Sequence, residues 1–155
     1  MIQLREVRQE DLDAFFRFQL DETANHMAAF GSKDPSDREA FGRRWQRILA
    51  DPSNINRTIE LDGTVVGQVA AFPMEGDLEV TYWIDKAHWG KGIATAALKA
   101  LLQEVVERPL HARAVSDNLG SIRVLTKCGF KKVRTDRGFA PGRGEEVEES
   151  VFLLG

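Results

Sequence analysis

Two glycines stand where a strand-like run gives way to a helix-like run, in the segment Trp89-Gly90-Lys91-Gly92-Ile93-Ala94-Thr95. Because glycine has no Cβ, the backbone N–H groups of such a turn stay accessible, and the positive end of the following helix dipole adds to them. Such a turn can bind a phosphate or a pyrophosphate. The spacing is not that of a Walker A loop, and Thr95 replaces the third glycine of the dinucleotide fingerprint. From these residues alone, an anion site and an ordinary tight turn are equally supported.

A second segment, residues 118–130, contains a helix-like pattern between two short strand-like runs. The run Asn-x-x-Ser-x-Arg-Val-Leu-x-Lys-x-Gly-Phe is matched by Asn118, Ser121, Arg123, Val124, Leu125, Lys127, Gly129 and Phe130. Taken together with the glycine turn, this segment resembles the Gcn5-related N-acetyltransferase (GNAT) superfamily. The resemblance also extends to the order of the strands and to nearly the whole chain.

In that family a loop written Gln/Arg-x-x-Gly-x-Gly/Ala receives the pyrophosphate of acetyl-CoA. Gly92 and Ala94 match this loop, whereas Trp89 occupies the Gln/Arg position. The aromatic-Gly-Lys-Gly-x-Ala-Thr version is similar to the branch that contains ribosomal-protein-alanine acetyltransferases. The resemblance therefore implies an acyltransferase that moves an acetyl group directly from acetyl-CoA to a primary amine in a ternary complex. The amine would belong to a small molecule or to a protein N-terminus.

The resemblance also implies where acetyl-CoA, the acyl-donor co-substrate, would bind. Its pantetheine arm would lie in a gap where the strand that ends near Ile84 and Asp85 splays away from the next strand. Its pyrophosphate would be held by the N–H groups of Trp89, Gly90, Lys91, Gly92, Ile93, Ala94 and Thr95. Asn118 and Arg123 would contact the CoA moiety.

The chemistry requires a base, because a primary amine with a pKa of about 10.4 is mostly protonated at pH 7 and must lose a proton before it attacks. Glu79 is the preferred general base: it lies on the strand that leads to the glycine turn, and the similar branch often carries Glu there. A solvated or salt-bridged strand residue is an equally good interpretation of Glu79. Glu75 and Glu60 are weaker candidates.

The thiolate leaving group needs a proton or a hydrogen bond. Many members of the family place Tyr at the position that Leu125 holds here, so by similarity Ser121 is the candidate acid. An ordinary hydroxyl in the first turn of a helix explains Ser121 somewhat better. Backbone N–H groups at the splay can polarise the thioester carbonyl without a special side chain.

Other reactive residue types lack a chemical context. Cys128 precedes the helix-ending Gly129 on an apolar face, which favours packing over nucleophilic catalysis. The three histidines are scattered without the spacing of a metal site, so no metal is expected.

Two charged groups of residues leave two interpretations open. The basic residues of the second predicted helix indicate a solvated face more than contact with an acidic substrate; they are Arg38, Arg43, Arg44 and Arg47. The acidic run before the last strand is either a solubilising edge or an attractor for a cationic amine; it contains Glu145, Glu146, Glu148 and Glu149. The acceptor side is expected to be built from the early helices and the loop 138–144.

Hydrophobic periodicity supplies the elements that must position these residues. It predicts strands over residues 2–7, 55–61, 64–72, 78–85, 110–115, 130–137 and 146–154, and helices that begin near residues 10, 35, 92 and 118. The second helix would bury Phe41 and Trp45, the fourth would end at Gly129, and residues 25–34 would form a helix–helix connection. These patterns predict an α/β domain whose middle hairpins are antiparallel. The family resemblance sharpens this to a GNAT-like mixed, mostly antiparallel sheet with a splayed central strand pair and about four flanking helices.

Length and composition restrict the remaining possibilities. The 155 residues fit one domain, with 43% hydrophobic and 29% charged residues. A net charge of −3 argues against a general nucleic-acid binder, and a single Cys excludes an internal disulfide. No run suggests a signal peptide or a membrane span. We expect a cytoplasmic domain, monomeric or homodimeric, without nucleic-acid or membrane partners.

Two alternatives to the enzyme remain open. A catalytically impaired acyl-CoA-binding sensor would keep the fold and the cofactor. An interaction domain of the same fold would bind nothing at its glycine turn.

Overall fold

Strands and helices account for most of the computed structural model, which describes residues 1–155. Three helices begin at a side-chain cap: Asp21, Asp37 and Asn118 each accept a hydrogen bond from the backbone N–H three residues further on. No helix is both long enough and apolar enough to cross a membrane. In chain order the elements are β1 (Ile2–Glu6), α1 (Asp11–Gln19), α2 (Glu22–Ala28), α3 (Arg38–Ala50), β2 (Ile55–Leu61), β3 (Thr64–Met74), β4 (Asp77–Ile84), a 3-10 turn (Lys86–His88), α4 (Ile93–Glu104), β5 (Leu110–Val115), α5 (Leu119–Lys127), β6 (Lys131–Ala140) and β7 (Glu145–Leu154).

The seven strands form one sheet in the order β1-β2-β3-β4-β5-β7-β6. All neighbouring strands are antiparallel except β4 and β5, which are parallel. This parallel pair is joined only at Leu78–Leu110 and Glu79–His111, after which the two strands separate. The predicted mixed sheet with a splayed central pair is confirmed.

Each face of the sheet carries its own apolar core. One core packs α4 and α5 against the sheet and includes Leu98, Leu101 and Leu125, each at most 1% exposed. The other packs α1 against α3 through Phe15, Phe18, Phe41 and Trp45. Neighbouring residues of β3 serve opposite faces, since Val66 belongs to the first core and Val65 packs against the second. The prediction that Phe41 and Trp45 are core residues is confirmed.

Helix α2 is a difference from the sequence-based expectation, which placed a connection over residues 25–34 and no separate helix between the first predicted helix and that connection. Only Ala24 of this helix is buried, so it lacks the apolar repeat by which helices are predicted. The Asp21 cap and the packing of neighbouring elements hold it instead. The sheet is therefore flanked by five α-helices, where about four were expected.

Two element ends also differ from expectation. The apolar repeat through Val106 and the Arg108-Pro109 pair predict a longer α4, but the helix stops at Glu104. Val105 follows in an extended conformation that still buries its side chain completely. The expected loop 138–144 is shorter, because Gly138, Phe139 and Ala140 pair with β7 as part of β6. Burial of Ala140 against Ala29, Val115 and Val147 explains why the hairpin extends that far.

Candidate active site

The separation of β4 from β5 opens a cleft of about 960 Å³. Because β5 pairs with β4 at only two positions, the backbone of β4 from Val80 to Ile84 has no partner on that side. The cleft is lined by residues of both sheet faces, from α1 and α3 on one side to α4 and α5 on the other. It is large enough for a small ligand and exposes unpaired strand backbone to it.

The glycine turn lies at the edge of this cleft, at the N-terminus of α4. Gly90 has a φ of +79° and Gly92 a φ of +76°, which favour glycine, and a Cβ at either position would meet only open space. The N–H groups of residues 90–95 have no intrachain acceptor, and no side chain caps α4. Free N–H groups at a positive helix end form a site for an anion. The turn therefore has the free donors that an anion site requires.

Trp89 is used differently from the turn residues that follow it. Its backbone N–H donates to the carbonyl oxygen of Lys86 at 3.1 Å, so it is not free for a ligand. Its indole Nε1–H donates to the carbonyl oxygen of Ile84 at 2.9 Å. Trp89 thus fixes the turn to the end of β4, although its side chain also lines the cleft.

The other residues predicted to bind the cofactor divide into two groups. Two lie in the turn with side chains outside the cleft lining: Asp85 accepts from the N–H of Ala87, and exposed Lys91 contacts His88. The residues that line the cleft are Ile84, Gly90, Gly92, Ile93, Ala94, Thr95, Asn118 and Arg123.

Asn118 ties two helices to the cleft wall. Its Oδ1 accepts from the N–H of Ser121, and its Nδ2 donates to the carbonyl oxygen of Met27. Both ends of the amide are therefore occupied within the chain, so Asn118 positions α5 relative to α2.

Glu79 lies in the cleft wall and is 7% exposed. Its Oε1 accepts a hydrogen bond from Arg113 Nε at 3.0 Å, and Arg113 also contacts Asp136 and Glu149, at 2.8 and 3.2 Å. Burial raises the pKa of Glu149 above its ordinary value, although the hydrogen bond from Arg113 opposes the change. The predicted base is thus part of a cluster in which three carboxylates share one guanidinium, with Glu79 buried and Asp136 partly exposed.

Ser121, the predicted acid, has a partner that the motifs do not reveal. Its Oγ lies 2.5 Å from the phenolic oxygen of Tyr82, and either group can donate this hydrogen bond. Burial raises the pKa of Tyr82 to about 12, so the phenol is protonated at neutral pH. The Tyr82 and Ser121 hydroxyls therefore both remain protonated inside the cleft.

Strand alternation places the Glu79 carboxylate and the hydroxyl pair on opposite faces of the sheet. Glu79 and Trp83 point to the face covered by α1 and α3, whereas Tyr82 points to the face covered by α4 and α5. The splay joins the two faces at this level of the sheet. A carboxylate cluster and a hydroxyl pair therefore approach the same gap from opposite sides.

Motif reasoning does not identify Tyr82 or Arg113 as cleft residues, and it places Glu149 only in an acidic run. Two signals could have found Tyr82: it is the chain's single tyrosine, and it lies two residues before the predicted splay at Ile84. Arg113 offers no comparable signal, because its three carboxylate partners are distant in the sequence.

Cys128 has no feature of a nucleophile. It is half-buried, its Sγ lies 3.8 Å from the carbonyl oxygen of Thr95, and burial raises the pKa of its thiol. A thiol that stays protonated and packed against α4 fits the structural role predicted for it.

Comparisons with known proteins agree with this geometry. Residues 2–131 match the family model described as the acetyltransferase (GNAT) domain. "Probable N-acetyltransferase YjcK" of Bacillus subtilis (strain 168) is 38% identical over 79 residues, which are 46% of this chain and 44% of that protein. The match thus spans less than half the length of this curated relative.

Two solved structures share the fold over nearly the whole chain. Mycobacterium smegmatis RimJ in complex with CoA-disulfide superposes with a TM-score of 0.81 at 23% identity, covering 99% of this chain and 81% of RimJ. The ribosomal-protein-alanine N-acetyltransferase from Brucella melitensis gives 0.81 at 21% identity and 98% coverage of both chains. At these identities the likeness shows the fold, while the family model spans most of the chain. The chain therefore belongs to the acetyltransferase (GNAT) domain family.

Proposed function

We propose that this chain is an acetyl-CoA-dependent N-acetyltransferase, acting as a single domain on the primary amine of a small molecule or a protein N-terminus. The observation that carries the proposal is the splay of β4 from β5 beside the free N–H groups of residues 90–95. Together they offer unpaired strand backbone for an extended arm and an anion site at the end of that strand.

The residues present fit the proposed co-substrate. The turn at Gly90 and Gly92 leaves room where a Cβ would stand, and the N-terminus of α4 supplies donors for a pyrophosphate. Arg123 lines the cleft on α5 and adds a positive charge nearby. Bound acetyl-CoA would supply the activated thioester, and the chain's own residues would accept and donate the protons.

Glu79 is proposed to accept the proton that the amine loses, directly or through water. Its place on the α1–α3 face puts it beside the half of the cleft that is left for an acceptor. Arg113 orients the Glu79 carboxylate through the 3.0 Å hydrogen bond. Glu149 is the competing base, because it lines the same cleft and burial raises its pKa above its ordinary value.

Ser121 and Tyr82 are proposed to stabilise the departing thiolate. A protonated phenol 2.5 Å from the Ser121 hydroxyl keeps a donor available on the α4–α5 face. Hydrogen bonding to a developing negative charge is most effective in a site that excludes water. Leu125, at the position where many family members place Tyr, is 1% exposed and packs in the core.

Thiol release from acetyl-CoA, measured against a panel of primary amines and short peptides with free N-termini, tests the function. We expect release that depends on the amine, and Glu79→Gln should lower kcat about 100-fold, since general bases contribute at least that much. The loss should be largest at low pH, where little amine is deprotonated without help. Glu149→Gln is the matched control.

Three outcomes would contradict parts of this proposal. CoA binding without turnover of any amine would favour the acyl-CoA sensor. No thermal shift with CoA or acetyl-CoA would favour an interaction domain. A larger loss in Glu149→Gln than in Glu79→Gln would move the base to Glu149.

A further inference from the structure

The four arginines of α3 differ in how their charges are compensated. Arg38 donates to Asp13 at 3.2 Å and stacks 5.2 Å from the centre of the Phe41 ring. Arg43 pairs with Glu39 at 3.8 Å. Arg44 has neither an ion pair nor a hydrogen bond, and the only charge that acts on it strongly is the like charge of Arg47.

Arg44 is also the only one of the four that lines the cleft. It lies between Phe41 and Trp45 in the sequence of α3, and both of those rings are 4% exposed. The side chain of Arg44 is exposed to solvent at the cleft edge. Its guanidinium therefore stands at the cleft without a counter-ion.

The carboxylates of the cleft do not compensate this charge. Glu79 and Glu149 are both bound to Arg113 on the sheet. A guanidinium without an acceptor in the chain is free to bind a ligand, and its planar fork matches an oxyanion in two-point contact. The lining of the same cleft is rich in aromatic side chains, which are Phe15, Phe18, Phe41, Trp45, Phe72 and Trp83.

We propose that the acceptor amine carries an oxyanion, a carboxylate or a phosphonate, on an apolar or aromatic frame, and that Arg44 binds this group. The inference rests on the proposed acetyltransferase function and specifies its substrate class. Arg44 would hold the acid while Glu79, in the same cleft, accepts the proton of the amine. A polyamine without an acidic group would leave Arg44 facing a like charge.

The test compares paired amines in the acetyl-CoA thiol-release assay. Each α-amino acid, aromatic or aliphatic, is compared with two analogues that have the same side chain. One analogue lacks the carboxylate, and in the other a phosphonate replaces it. Spermidine serves as a cationic acceptor. The wild-type chain, Arg44→Gln and Arg47→Gln are compared, because Arg47 carries the same charge on the same helix without lining the cleft.

We expect the wild-type kcat/KM to favour the acids over the amines that lack them. Arg44→Gln should reduce kcat/KM for the acids about 10- to 100-fold, as loss of a charge-assisted hydrogen bond does, and should leave the amines without an acid unaffected. Arg47→Gln should retain the preference. The ratio of carboxylate to phosphonate activity identifies which oxyanion the site takes.

A preference for spermidine, or equal losses in Arg44→Gln and Arg47→Gln, would overturn the inference while leaving the acetyltransferase function intact. If no amine is acetylated, the proposed function itself fails. Calorimetric titration of the same acids in the presence of CoA then tests whether Arg44 binds an oxyanion. Saturable binding that Arg44→Gln abolishes and Arg47→Gln retains would support it. Absence of binding to the wild-type chain would overturn it.

Discussion

At the scale of residues, the hydroxyl pair of Tyr82 and Ser121 brings together positions 39 residues apart, one on β4 and one on α5. Ser121 could be selected from the sequence because it falls within a recognisable motif. Tyr82 could not, because pairing between distant side chains depends on how α5 packs against the splayed strand. The same applies to Arg113, whose role is defined by three carboxylates that the sequence keeps apart.

Removing either hydroxyl should impair the same step. We expect Tyr82→Phe and Ser121→Ala each to lower kcat about 100-fold, because each breaks the hydrogen-bonded pair that stabilises the thiolate. The double variant should be little worse than either single one, since residues that act as a unit lose their effect together. Steady-state kinetics with acetyl-CoA and the best amine of the panel measure this.

CoA affinity provides the control for these variants and should change less than about threefold, as expected when only the chemical step is affected. Multiplicative losses in the double variant would show that the two hydroxyls act independently. An unchanged kcat in both single variants would remove the pair from the mechanism.

At the scale of elements, periodicity and turn residues predicted all seven strands; β5, for example, alternates between buried and partly exposed positions over its first four residues. The antiparallel register of β2 and β3, which are joined through Asp62 and Gly63, confirms a predicted middle hairpin. Periodicity could not predict α2, because only one of its residues is buried and a single buried position forms no repeat. It also ended β6 too early, because the pairing of Gly138 and Phe139 depends on backbone hydrogen bonds and not on an apolar pattern.

The turn before α4 gives a prediction at this scale. Gly92→Ala should weaken CoA binding about tenfold, because a Cβ at a φ of +76° strains the turn and covers the N–H groups that would hold the pyrophosphate. Gly63→Ala is a matched control: its φ is +85°, a Cβ there also meets open space, and it lies in the β2–β3 hairpin.

Thermal unfolding and calorimetric titration with CoA separate the two effects. Both variants should lose about 1 kcal/mol of stability from backbone strain, and only Gly92→Ala should lose affinity. Equal CoA affinities in the two variants would show that the turn does not bind the nucleotide.

At the scale of the whole molecule, a buried polar network holds the start of the chain to the sheet. Asp11 is 3% exposed and accepts hydrogen bonds from Arg5, from the backbone of Arg8 and from Thr58. Burial alone would raise the pKa of Asp11, but these hydrogen bonds outweigh it and lower the pKa to about 2. The network connects β1, α1 and β2, so its charge state affects the stability of the fold.

Acid should therefore weaken the fold in a defined range. Since the folded pKa lies below the unfolded one, the contribution of Asp11 is complete above about pH 4 and is lost as the pH falls toward 2. The difference amounts to about 2 kcal/mol. Urea unfolding of the wild type and Asp11→Asn at several pH values measures it. The two should differ at pH 6 and converge near pH 2; a constant difference would contradict the assignment.

The two-residue junction between β4 and β5 has a kinetic consequence. The cleft beyond it is lined from both faces of the sheet, by α1 and α3 on one side and by α4 and α5 on the other. Under the proposed function, acetyl-CoA would bind from the α4–α5 side and the amine from the α1–α3 side. We therefore expect no compulsory order of arrival of the two reactants, and we expect either product to be able to depart first.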